Sequence, residues 1–120
     1  MLTPRQSGPN VISAYGDGGF RVSGVRHEGS LIVLPTDIIP WPITALDQMA
    51  REHFEELVGK FEILLIGCGA RFDVSPKSAI AKLSGLGFSV DVMDTGAACR
   101  TYNVLIAEQR PIATALIAVD

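Results

Sequence analysis

Cysteine is scarce in this chain. Cys68 and Cys99 are the only two among 120 residues, too few for a disulfide framework. Charge is also sparse. Charged residues make up 19% of the sequence and the net charge is −3, so no basic field exists to attract nucleic acid or an anionic membrane. Long apolar runs are missing. The longest, such as Ile63-Leu64-Leu65-Ile66, fall far short of a bilayer span. The opening MLTPRQSGPN holds one arginine and no apolar core, unlike a secretion signal or an Arg-rich transit peptide. No repeat, low-complexity tract or linker divides the sequence. These absences point to a soluble cytoplasmic protein without membrane insertion.

What is present suits a folded globule. Apolar residues account for 48%, and the length fits a single domain with its own core. Residues 1–10, with Pro4, Gly8 and Pro9, read as a flexible N-terminus, followed by one domain over 11–120. Short β-like pieces come first: Val11–Tyr15, Phe20–Val22, Val25–Arg26 and Leu31–Leu34. The turns Gly16-Asp17-Gly18-Gly19, Gly24 and Glu28-Gly29 separate them, which predicts an antiparallel ribbon. Ile38-Ile39 before Pro40 suggests an edge strand. Thr44 stands as a helix N-cap, and Leu46, Met49, Ala50, Phe54, Leu57 and Val58 share one helical stripe ending at Gly59.

Strand 62–66, a loop at Gly67–Arg71, a helix opened by Ser75-Pro76 and strand 88–92 make a βαβ unit. Its two strands should be parallel neighbours. A helix over 97–108, with Thr95 able to cap it, and a final strand within 110–119 follow. The fold class is therefore α/β with an N-terminal β ribbon.

Two motifs invite a catalytic reading. Asp94-Thr95-Gly96 matches the loop of aspartic proteases, where two carboxylates share a proton. Here the motif follows a βαβ strand and precedes a helix, a context such proteases lack, so a cap and tight turn explain it better. Gly67-Cys68-Gly69 lies between strand and helix as a dinucleotide loop would. The third glycine would fall on Phe72, and the helix begins only at Pro76, so the close approach to a pyrophosphate is missing. No catalytic residue and no cofactor is expected. Two cysteines with the scattered His27 and His53 show no metal-ligand spacing.

ILLIGCGAR, a short helix, and GFSVDVMDTGAACRTYNVLIAEQRPIATALI together resemble a widespread family of small uncharacterised α/β domains. That family includes the mitochondrial respiratory complex I assembly factor 3 and many bacterial and archaeal proteins. The resemblance runs from about Val11 onward and is densest over 62–118. It implies a three-layer fold around a mixed sheet whose last strand is antiparallel. It also implies a protein partner, respiratory complex subunits, and carries no catalytic roles.

A ligand site in such a sheet belongs at the carboxyl ends of parallel strands. The candidates there are Gly67, Gly69 and Arg71 on one loop, and Thr95, Cys99, Arg100 and Asn103 on the following helix. Loop amides, a helix N-terminus and two arginines could hold a small anion. Against this, Arg71 could pair with Asp73, Arg100 with Asp94, and Asn103 with backbone. Cys99 near a helix start could be a thiolate, or Cys68 and Cys99 a redox pair, although a small buried cysteine is the commoner case. Trp41, between two prolines, is a candidate partner-binding residue, or else a lid on the core. Ribbon edges make a homodimer plausible. The leading expectation is a non-enzymatic binding or assembly module; the alternative is a small-molecule or enzymatic domain using Gly67–Arg71 and Thr95–Asn103.

Overall fold

The computed structural model describes residues 8–71 and 76–120. The flexible N-terminus expected over 1–10 falls mostly on 1–7, outside the described residues, as does the Ser75 cap. Asn10 is tied in: its amide donates to the Pro35 carbonyl at 2.9 Å, and its carbonyl accepts from Tyr102 Oη at 3.0 Å.

The chain opens with the ribbon β1 (Ile12–Gly16), β2 (Gly19–Val22) and β3 (Val25–Glu28), antiparallel in that order. Asp17 and Gly18 both have positive φ, as do Ser23 and Gly24. Both hairpins are thus two-residue turns whose twist suits the flanking strands.

The main sheet has five strands: β4 (Leu31–Val33), β5 (Ile38–Pro40), β6 (Ile63–Gly67), β7 (Ser89–Met93) and β8 (Ile112–Leu116). Their order is β5-β4-β8-β6-β7. Pro40 sits on an edge strand, where its missing N–H costs no ladder bond. The strands β6 and β7 are parallel neighbours. The closing strand β8 is antiparallel to β4 on one side and parallel to β6 on the other, so the expected antiparallel pairing holds on the β4 side alone. The reason is the crossover through helix α3 (Thr95–Ala107), which returns the chain in the direction of β7.

Alternation of side chains divides the interior. Ile32, Leu64, Ile66, Ala113, Ala115 and Ile117 face one core, with Ala79 and Leu83 of the α2 region (helix Pro76–Lys82). Leu31, Val33, Leu65, Ile112 and Leu116 face the other, with Ala98, Cys99, Tyr102 and Ile106 of α3 and with Phe20 and Val22 of the ribbon. The sheet is the middle of three layers. From β6 to β7 the chain steps outward, and from β7 to β8 it steps back. Right-handed crossovers then require helices on opposite faces, which is where α2 and α3 lie.

One expected element is different. The single helix from Thr44 to Val58 is a 3-10 turn at Leu46–Gln48, then the short helix α1 (Glu52–Glu55). Thr44 does not cap with its own side chain. Its amide donates to Gln48 Oε1 at 2.7 Å. Met49 is extended (φ −62°, ψ 134°), and its carbonyl is drawn to the Lys82 ammonium at 2.8 Å. His53 Nδ1 accepts from the Ala50 amide at 3.2 Å, covering a donor that a continuous helix would have used internally.

Candidate functional site

The loop leaving β6 turns toward the α2 face, and the chain leaving β7 enters α3 on the opposite face. A crevice between two such loops is the usual ligand position in an α/β sheet. Here the protein fills it with its own atoms. Thr95 Oγ1 donates to the Ile117 carbonyl at 2.7 Å and accepts from the Gly69 amide at 3.0 Å. The Thr95 amide donates to the Gly69 carbonyl at 2.8 Å. Gly67 allows this closeness, since a Cβ there would lie 2.9 Å from Thr95 Cα and 3.0 Å from Leu116 Cδ2. Thr95 is fully buried, and its hydroxyl replaces the water that a buried polar group otherwise needs.

The cap of α3 is Asp94 rather than Thr95. An Asp94 side-chain oxygen accepts from the Ala97 amide at 2.8 Å, and Thr95 is the first helical residue. Asn103 faces β1. Its Oδ1 accepts from the Ile12 amide at 3.0 Å and its Nδ2 donates to the Ile12 carbonyl at 2.7 Å. The side chain imitates a neighbouring strand and occupies the edge of β1. At the other end of the strand, the Tyr15 ring lies over Gly96 so closely that a Cβ at 96 would collide with it. Arg100 Nη1 donates to Tyr15 Oη over 3.4 Å, a long bond. A cleft lined by Ser13, Tyr15, Cys99, Arg100 and Asn103 remains between β1 and α3.

Burial pushes the Cys99 thiol up to about 12, and nearby Arg100 opposes this only in part. With 3% of its surface exposed, Cys99 is a packing residue in the α3 core and not a thiolate. Cys68 packs against the core on the other side of the sheet, so the two sulfurs are not arranged as a redox pair.

Gly69 and Cys68 line a larger cleft of about 590 Å³, together with Thr44, Leu46, Ser78 and Lys82. The candidate residues are therefore not gathered in one pocket. Gly69 belongs to the α2 face, Cys99, Arg100 and Asn103 to the α3 face, and Thr95 to the seal between them. Arg71 is exposed and is not among the residues lining that cleft, and its backbone carbonyl accepts from the Cys68 thiol at 3.7 Å. Asp73, its expected ion-pair partner, lies outside the described residues. Trp41 does not offer a surface: it is 2% exposed, and its Nε1 donates to His53 Nδ1 at 3.0 Å. Pro40 and Pro42 thus flank a core lid. Among the described residues, no group of three or more His, Cys, Asp or Glu could hold a metal. No helix among them is long and apolar enough to cross a membrane.

Sequence reasoning missed Tyr15, Lys82 and His53. Tyr15 and Lys82 act over long sequence distances, and no local pattern marks the bonds of His53 to Ala50 and Trp41. Asn103 was visible as a polar residue on an apolar helix, but its partner was not.

A family model described as "Protein of unknown function (DUF498/DUF598)" matches residues 12–117. An uncharacterized protein of Rhodobacter capsulatus is 35% identical over 119 residues, covering 97% of this chain and 93% of that protein. The zebrafish (Danio rerio) NADH dehydrogenase [ubiquinone] 1 alpha subcomplex assembly factor 3 is 34% identical over 120 residues, 98% of this chain and 69% of that protein. A crystal structure described as an outer membrane protein from Bartonella henselae superposes with a TM-score of 0.82 at 39% identity, covering 94% of this chain and 98% of that one.

Proposed function

The chain belongs to the DUF498/DUF598 family, and on that premise we propose that it is a non-enzymatic binding module that assists assembly of a multisubunit protein complex, respiratory in type. The observation that carries this reading is how the chemically able side chains are engaged. Asn103 holds the ribbon, Thr95 seals the sheet, Cys99 is buried and protonated, and His53 receives Trp41. A catalyst needs such groups turned toward a substrate. Here they are turned inward, which supports action through surface complementarity. Similarity to the zebrafish assembly factor supports the same role and supplies the respiratory direction. The cytoplasm is the proposed setting.

The test is gentle cross-linking in cell lysate, capture of the tagged full chain, and identification of what comes with it. Reproducible recovery of subunits of one complex, lost in a surface variant and retained in Arg100→Ala, is the expected result. Recovery of the protein alone would overturn it.

A second reading has one observation in its favour, the 590 Å³ cleft at the carboxyl end of β6. There a small acidic ligand would meet Gly69 and the Lys82 ammonium, next to the exposed Arg71 in the chain, while Arg100 on the opposite α3 face serves as the control. Thermal-shift screening with carboxylates and nucleotides, repeated in Arg71→Ala and Arg100→Ala, tests it. No stabilisation by any of them removes this reading.

A further inference from the structure

The outer face of α3 places small and apolar residues around a single pair of opposite charges. Taking Val104 as the centre and turning 100° per residue, Ala97, Arg100, Thr101, Ala107 and Glu108 all fall within 60° of it. Five of these six positions flank or bracket a valine that is 58% exposed. The buried residues Ala98, Tyr102 and Ile106 occupy the opposite side. Beside this face runs β1, held there by the Asn103 clamp and by Tyr102 Oη on Asn10. It adds Tyr15, 43% exposed. Two of the large apolar side chains exposed among the described residues, Val104 and Tyr15, therefore lie on or against this helix.

The two charges on this face are opposite in sign and equidistant from Val104. Arg100 lies four residues before it and Glu108 four residues after. When a second α3 packs antiparallel about Val104, each Arg100 lies opposite a Glu108, and each Thr101 lies opposite an Ala107. A two-fold axis makes both ion pairs at once, and small residues flank the crossing so the helices can approach. Neither charge has a strong partner within its own chain. Arg100 has the 3.4 Å bond to Tyr15, and Glu108 touches Arg110 at 4.0 Å.

We propose that this face is a self-association surface, and that its occupant is a second copy of this chain bound antiparallel through α3. This goes beyond the assembly-module reading and does not depend on it. It also places the contact on the helix and not on the ribbon edges.

Sedimentation equilibrium of the full chain, from about 1 to 500 μM, gives the test. The apparent mass should rise from 12.8 kDa toward twice that value with concentration. Val104→Asp should keep it at the monomer mass. The decisive set is the charge exchange. Arg100→Glu alone and Glu108→Arg alone each face like charge against like twice, and each should weaken the dimer by about tenfold or more. The double exchange should restore it. Folding does not confound these variants. The exchange puts an acid nearer the helix N-terminus and a base nearer its C-terminus, the arrangement the helix dipole favours. Circular dichroism confirms that each variant keeps its structure. Monomer at every concentration overturns the proposal. So does a dimer indifferent to the single exchanges, which would place the interface elsewhere, or a double exchange that fails to restore association.

Discussion

Replacing Asn103 with alanine unfastens the ribbon from α3, and the size of the effect follows from two bonds. The side chain accepts at 3.0 Å and donates at 2.7 Å to the backbone of one residue, Ile12. Each such bond contributes about 1 kcal/mol net, and a buried backbone group left without a partner costs more. Ile12 is 4% exposed, so water reaches it only after local rearrangement. A loss of about 2–3 kcal/mol is expected, seen as a fall in the unfolding midpoint of about 10 °C for a domain of this size. Urea unfolding followed by far-ultraviolet circular dichroism measures it. Native-state hydrogen exchange localises it, because the Ile12 amide should lose protection first. Asn103→Asp sharpens the reasoning. Its carboxylate still accepts from the Ile12 amide but cannot donate to the Ile12 carbonyl. The deficit should be present at neutral pH and shrink as acid protonates the new side chain and returns a donor. A change below about 0.5 kcal/mol in Asn103→Ala, the range of an ordinary surface substitution, would refute the clamp. A residue that served only a ligand would give that result.

Four further outcomes are expected. Gly67→Ala should destabilise by about 1–3 kcal/mol or more, because the added Cβ meets Thr95 Cα at 2.9 Å, backbone that cannot swing aside; an unchanged urea midpoint would contradict the close packing. Cys99 should resist alkylation at pH 8 in the folded protein and react only on unfolding, with Cys68 labelled first; rapid native labelling at Cys99 would count against its burial. The linkage sign follows from the same raised thiol: its stabilising contribution is complete below pH 9 and is lost as pH rises from about 9 to 12, at about 1.4 kcal/mol per unit, with the raised Tyr102 hydroxyl acting in the same direction above pH 10. Trp41→Phe should lower stability by about 1–2 kcal/mol through the lost bond to His53, and the native emission of this sole tryptophan should shift to the red on unfolding; red-shifted native emission would place the indole in water.

The β6–α2–β7 unit was readable because its signals are local. A continuous apolar run, glycines after the helix and a second run at βαβ spacing lead to one arrangement. The ribbon was readable for the same reason, from turns that accept positive φ. The segment 44–58 was not. Its apolar residues do fall at helical spacing, but three side-chain contacts divide it: the distant Lys82 takes the Met49 carbonyl, Trp41 donates to His53, and His53 covers the Ala50 amide. Periodicity reports which side chains are buried, and both arrangements bury Leu46, Met49, Phe54 and Leu57. In the site, the residue types on α3 were visible while their partners were not. Asn103 and Tyr102 answer to Ile12 and Asn10, more than 90 positions away. For Trp41 the sequence left a surface and a core lid both open, because flanking prolines describe the chain path and not the direction of the ring; the structure takes the lid.

The central position of β8 has a consequence for how the chain is made. Strands β4 and β5 emerge early, and β6 and β7 later, yet no hydrogen bond of the main sheet joins one pair to the other until Ile112–Leu116 is available to lie between them. During synthesis two half-sheets wait with open edges and apolar faces, and the last strand closes both within one event. Emergence of Ile112–Leu116, not the formation of any early hairpin, should therefore time the appearance of the native fold, and a chaperone that shields strand edges would act in that interval.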